Sequence, residues 1–155
     1  MGREILIRNP EFILIKSFTI VILQLACAGF LMVNGQVLPE NKFLFISEIL
    51  LLLIGLWSAL LLNKNFSVLP VPAKSAVLVT SGPYKYVRHP IYTVVILLGL
   101  IWITTRFTVV NISVLAALII IFIVKLNYEE KLLSEKFVEY KNYMKNSKKL
   151  IPFIY

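Results

Sequence analysis

Four apolar runs, over roughly residues 11–33, 43–62, 90–105 and 107–126, constrain this chain more than any other feature. A soluble core cannot enclose several segments of about 20 apolar residues, whereas a bilayer with about 30 Å of hydrocarbon requires helices of that length. The composition agrees: 59% of the 155 residues are hydrophobic and 15% are charged, too apolar for an ordinary soluble domain. The expected architecture is therefore all-α: one polytopic membrane domain over residues 1–155 with about four transmembrane helices. The last two form a helical hairpin around Thr104, Thr105 and Arg106. The run from Pro90 is short, reaching about 24 Å at 1.5 Å per residue, so it either begins below the membrane surface or packs inside the bundle.

Local punctuation sets the other boundaries. Asn34-Gly35 and then Pro39 close the first run, and Pro70, Pro72, Gly82 and Pro83 keep the connector over residues 63–89 out of continuous helix. Pro90 suits the first turn of the third helix. Beyond the fourth run, Leu132, Leu133, Phe137, Tyr140 and Met144 recur at helical spacing, which predicts an amphipathic helix over 128–149 lying against the membrane or the bundle. The closing "LIPFIY" docks back onto lipid or protein.

The net charge of +8 would point to nucleic acid in a soluble protein, but here the basic residues gather at the ends of apolar runs. Arg3, Arg8, Lys64, Lys74, Lys85, Arg88, Lys125 and the tail lysines fall on one side, against Lys42 and Arg106 on the other, so both termini and the connector are expected in the cytoplasm. Arg3, Arg8 and the Ala26-Cys27-Ala28 stretch mimic a cleavable signal, yet apolar character continues through Val33, which reads as a span instead. Cys27 is the single cysteine, so no intrachain disulfide forms, and one His, one Cys and no Asp give poor metal ligation. Glu48, near the outer end of the second run, is expected at the interface rather than in a cavity.

The densest chemistry lies in the connector stretch "LVTSGPYKYVRHPIY", Leu78 to Tyr92. Arg88-His89-Pro90 sets a guanidinium and an imidazole at the mouth of the third helix, whose first amides also favour an anion. Tyr84, Tyr86 and Tyr92 add aromatic faces, and Glu129-Glu130 offers carboxylates at the same aqueous boundary, one of them suited to an ammonium group. Two readings stay open on these residues alone. They form a site for a zwitterionic, nucleotide-like cofactor, or they are interfacial anchors and caps.

Leu78-Val79-Thr80-Ser81-Gly82-Pro83-Tyr84 followed by Arg88-His89-Pro90-Ile91-Tyr92 resembles the signature of the isoprenylcysteine carboxyl methyltransferase and phospholipid methyltransferase superfamily. Glu129-Glu130, Leu133, Phe137, Glu139-Tyr140, Tyr143 and Ile151-Pro152-Phe153 resemble its C-terminal block in order and spacing. The resemblance implies an integral membrane methyltransferase using S-adenosylmethionine, with S-adenosylhomocysteine as product. It places Ala76, Val77, Leu78, Val79 and Tyr84 against the cofactor, has His89, Pro90, Ile91 and Tyr92 line its pocket, and has Glu129 hold its amino group. Lys125, four residues before Glu129 on the same helix face, stands where the prenylcysteine enzymes carry an arginine associated with the substrate carboxylate. With Arg88 it is the candidate for the acceptor; otherwise Lys125 snorkels to the interface. No metal ion is implied.

The implied partners are the bilayer and a prenylated or other lipophilic acceptor, methylated on a carboxylate. The alternatives are a phospholipid or small amine as acceptor, an NADPH-dependent reductase of the sterol-reductase type, or a lipid-binding protein without activity. Oligomeric state leaves no mark on the sequence.

Overall fold

The computed structural model describes residues 10–63, 67–72, 76–104 and 106–152. Arg3, Arg8, Lys64, Lys74, Thr105 and Phe153 lie outside the described residues. The chain is helical: α1 (Pro10–Asn34), α2 (Lys42–Leu62), a 3₁₀ turn (Gly82–Lys85), α3 (Pro90–Ile103), α4 (Val109–Lys136) and α5 (Tyr140–Asn146). Among the described residues no strand forms beyond an isolated parallel bridge between Val87 and Lys148.

Three helices, α1, α2 and α4, are long and apolar enough to cross a membrane, which makes this an integral membrane protein. Their outward faces, including Ile22, Leu53, Trp57, Leu60 and Ile120, are exposed apolar surface suited to lipid. Serines in the spans are satisfied on their own helices: Ser17 and Ser58 donate to the carbonyls of Ile13 and Ile54, each at 2.7 Å. The fourth apolar helix, α3, has only 14 residues, about 21 Å. It packs inside the bundle, against α1, α2 and α4, and buries Val94, Leu98, Gly99, Ile101 and Ile103. The core is Leu31, Ile103, Leu115, Leu118 and Phe122, with Tyr92 and Trp102 packed against it.

The two ends of the bundle differ. At the turn end, Asn41 caps α2 by accepting from the amides of Phe43 and Leu44, and Thr108 caps α4 by accepting from Asn111 N–H. A Cβ on Gly35 would lie 2.6 Å from the Leu31 oxygen and 2.7 Å from the Trp102 oxygen, so only glycine lets this turn close. Glu48 is not at the interface as expected. It is 5% exposed and accepts from Trp102 Nε1 at 2.9 Å, because α3 packs its indole directly over it.

At the connector end, the 3₁₀ turn begins at Gly82 with φ 59°, in the left-handed region that favours glycine. The helix expected over 128–149 does not exist as one piece. α4 continues to Lys136, because nothing between Leu126 and Lys136 breaks a helix; the change at Tyr128 is in polarity alone. The break comes at Phe137, which takes extended backbone at φ −115° and ψ 118°. The chain then folds back so that Tyr140, 1% exposed, is buried. The returning tail is stitched to the connector: the amides of Arg88 and His89 donate to the oxygens of Lys148 and Lys149 at 2.7 and 3.1 Å, and Lys148 N–H donates to the Tyr86 oxygen at 3.0 Å. Leu150 is buried on protein, with its carbonyl accepting from Thr93 Oγ1 at 2.7 Å.

Candidate functional site

One face of α4 supplies the spine of the site. Phe122, Lys125, Glu129 and Leu133 recur three to four residues apart, so their side chains stack along one stripe. The start of α3 faces that stripe with His89 and Tyr92, one turn apart. The rings of His89, Tyr92 and Phe122 form a continuous stack, with centroid separations of 5.2 and 4.7 Å. The stack runs from the polar mouth toward the apolar core.

Glu129 and Glu130 are adjacent but do different things. Glu129 Oε2 accepts from the Tyr92 hydroxyl at 2.6 Å, and its side chain keeps 25% exposure on the cavity side. Among the described residues its Oε1 accepts no hydrogen bond. Glu130 turns the other way, 7% exposed, and accepts from Arg88 Nε at 2.6 Å. The His89 ring sits between them, Nε2 at 3.3 Å from Glu130 Oε1 and Nδ1 at 3.9 Å from Glu129 Oε2. A carboxylate only accepts, so both ring nitrogens of His89 face acceptors, with the closer contact at Nε2.

The Arg88 guanidinium also binds the tail, with Nη1 donating to the carbonyls of Met144, at 3.2 Å, and Ser147. One side chain thus ties the mouth of α3, the end of α4 and the returning tail together. Its Nε and Nη1 donors are taken up by protein, and the side chain also borders the cavity.

Tyrosines close the polar end. Tyr143 donates to the Tyr84 carbonyl at 2.5 Å, and Tyr84 donates to the Ser58 carbonyl of α2 at 3.4 Å. Burial raises all three phenols here: Tyr84 and Tyr140 go far above the ordinary range, with nearby glutamates adding to the effect, and Tyr143 is pushed up to about 12. These phenols stay protonated at physiological pH.

Farther along α4 toward the core, Lys125 is 2% exposed. Its Nζ donates to Gln24 Oε1 of α1 at 2.7 Å and lies 5.0 Å from the Tyr92 ring centroid. It does not snorkel to an interface.

His89, Tyr92, Phe122, Lys125, Glu129 and the tyrosines of the polar end surround one cavity of about 190 Å³, with Glu130 behind its wall. Every residue expected at the site lines it: the non-helical segment Ala76, Val77, Leu78 and Val79, then Tyr84, Arg88, His89, Pro90, Ile91 and Tyr92, with Lys125 and Glu129 opposite. The largely apolar wall with a few convergent polar groups is the make-up of a small-molecule site. Sequence reasoning missed Gln24 and the proline-rich wall from Ser67 to Pro72. The signal for Gln24 was there, as a lone amide within an apolar span. The Ser67–Pro72 wall has no local signature, because it reaches the cavity only through the path of the connector. Among the described residues no group of three His, Cys, Asp or Glu side chains converges as a metal ion requires.

None of the curated proteins compared with the chain matches it. The sequence profile of the Isoprenylcysteine carboxyl methyltransferase (ICMT) family matches residues 42–135, which span α2, the connector, α3 and all but the last residue of α4 and hold every cavity group named above except Gln24 and the two tail tyrosines. A match over more than half of the chain, centred on this cavity, establishes that the protein belongs to the isoprenylcysteine carboxyl methyltransferase family of membrane methyltransferases.

Proposed function

We propose that the protein transfers a methyl group from S-adenosylmethionine to a carboxylate carried by a prenylated or otherwise lipophilic acceptor. The observation that carries this reading is the pairing of opposite charges on one wall of one cavity. Glu129 and Lys125 lie one helical turn apart on α4, about 6 Å along the axis, the carboxylate toward the polar mouth and the ammonium toward the core.

The residues fit S-adenosylmethionine. Glu129 holds one oxygen on Tyr92 and has the other available for an α-ammonium group. The non-helical backbone at Ala76 to Val79, the ring of Tyr84 and the apolar wall at Pro90 and Ile91 suit an adenosine moiety. When bound, this cofactor supplies a methyl group on a sulfonium, which passes to the acceptor oxygen and leaves S-adenosylhomocysteine and a neutral ester. Such a displacement needs neither a metal ion nor a covalent enzyme intermediate; it needs alignment and exclusion of water. Tyr92 and Phe122 supply the dry wall, Glu129 fixes one reactant, and the Lys125 ammonium attracts the carboxylate of the other. His89 is a positioning group, braced by Glu130 and stacked on Tyr92. Arg88 braces Glu130 and the tail.

The carboxylate of Glu129 opposes the phosphates of NADPH, and the buried ammonium of Lys125 opposes an amine acceptor. Both charges favour the carboxyl methyltransferase over the alternatives. The distribution of Lys85, Arg88 and the tail lysines at the connector end, against Lys42 and Arg106 at the turn end, supports a cytoplasmic cofactor site and cytoplasmic termini.

Calorimetric titration of the purified protein tests the cofactor: S-adenosylmethionine binds and NADPH does not, and the reverse result overturns the reading. A labelled-methyl assay on membranes containing the protein, followed by mass spectrometry, then shows whether the product is a base-labile ester.

A further inference from the structure

Among the described residues, α1 reaches the cavity through Gln24 alone. An amide inside a membrane span is costly unless its donors and acceptor are used. The serines of the spans meet this demand on their own helices, whereas Gln24 turns to α4 and accepts from Lys125 Nζ at 2.7 Å. Lysine has no acceptor, so this contact fixes the amide: Oε1 meets the ammonium, and the NH₂ group on the same carbon lies beside that contact. Among the described residues that NH₂ group donates to nothing, and it belongs to a side chain on the cavity wall.

The deep end of the cavity thus holds two sets of donors side by side, the remaining protons of Lys125 Nζ and the amide protons of Gln24. Val95 and Phe122, which also line the cavity, are apolar and offer no acceptor, and Tyr92 presents its ring to the ammonium at 5.0 Å. An ammonium is a compact point charge without the planar fork that grips both oxygens of a carboxylate. An amide NH₂ locked beside it supplies the second direction.

We infer that Gln24 and Lys125 form a two-residue clamp for the acceptor carboxylate, Nζ taking one oxygen and Gln24 Nε2 the other. The clamp orients the plane of the carboxylate as well as attracting its charge, which is what an in-line attack requires. Gln24 is therefore a positioning and specificity residue, and it lies outside the part of the chain that matches the family. This inference rests on the carboxylate acceptor proposed above.

The test uses the full-length purified protein with N-acetyl-S-farnesylcysteine and its carboxamide as probes, and S-adenosylmethionine as control ligand. The wild type binds the carboxylate probe more tightly than the carboxamide. Gln24→Leu cuts that preference about tenfold, as expected for one hydrogen bond to a charged group, and leaves the affinity for S-adenosylmethionine unchanged. Gln24→Glu removes the preference altogether, because its own carboxylate captures the ammonium. Lys125→Arg added to Gln24→Leu restores most of it, since guanidinium brings its own fork. A wild type that ignores the difference between the probes overturns both the carboxylate reading and the clamp. A preference that persists in Gln24→Leu overturns the clamp alone, as does a parallel loss of S-adenosylmethionine affinity in that variant, which would mark Gln24 as packing.

Discussion

Glu48 and Glu130 are both buried carboxylates, 5% and 6% exposed, at opposite ends of the same bundle. At the turn end Glu48 has, among the described residues, a single partner, the Trp102 indole, and its other oxygen is buried without a hydrogen bond. At the connector end Glu130 is gripped by Arg88, approached by His89 and flanked at 3.9 Å by Lys149. The first joins two helices; the second holds together a wall on whose other side a second carboxylate, Glu129, faces a cavity. Burial of a charge does not by itself mark a site. What marks one is convergence: opposite charges, stacked rings and a free carboxylate oxygen on one enclosed space.

The comparison breaks first at Arg88. Arg88→Ala leaves Glu130 buried without its main partner and releases the tail carbonyls of Met144 and Ser147, a loss of about 3–5 kcal/mol. Thermal unfolding in detergent reads this directly, and Glu48→Ala should cost clearly less. Equal melting temperatures for the two variants would mean that the connector end is no more tightly built than the turn end.

Glu129→Gln comes next. The amide still accepts from Tyr92, so the fold holds, but the negative charge toward the cavity is gone. Affinity for S-adenosylmethionine falls about 10- to 100-fold, the worth of one hydrogen-bonded charge, with little change in melting temperature. Titration calorimetry on the folded variant checks it, and unchanged affinity would remove Glu129 from the site.

A smaller effect separates the tyrosine cap from both glutamates. Burial raises the Tyr143 phenol from 10.0 to about 12, so the folded state holds its proton above the pH at which the unfolded chain releases it. The stabilisation is complete below pH 10 and is lost as pH rises toward about 12. Absorbance titration of the phenolate should show a step near pH 12 that Tyr143→Phe removes. A step at the ordinary phenol value would place Tyr143 in solvent instead of in the cap.

These expectations show what was legible in the sequence and what was not. The apolar runs and their Pro and Gly punctuation located the helices, because a bilayer tolerates no unsatisfied backbone and leaves few ways to fold such runs. The join at Leu126 was misread because polarity changes there while helix propensity does not, so α4 carries Glu129 and Glu130 on the same rigid rod as Lys125. The break at Phe137 is set by burial of Tyr140, a tertiary cause with no local signal. Connector residues and Glu129 were legible as compact motifs. The roles of Arg88, Glu130 and Gln24 were not, because each depends on a partner that folding brings in, 42 residues away for the ion pair and 101 for the amide.

Glu48→Gln sharpens the comparison by predicting almost nothing. The substitution removes the same charge as Glu129→Gln, yet Trp102 needs only an acceptor, which the amide oxygen provides at the same place. The amide NH₂ replaces an oxygen that has no hydrogen bond among the described residues, so no contact seen there is lost. Melting temperature and S-adenosylmethionine affinity should both stay at wild-type values, within about 0.5 kcal/mol. A large loss of affinity would require the turn end to be coupled to the cavity through α3, whose Trp102 and Tyr92 both pack on the same core, and the two ends would then be one functional unit.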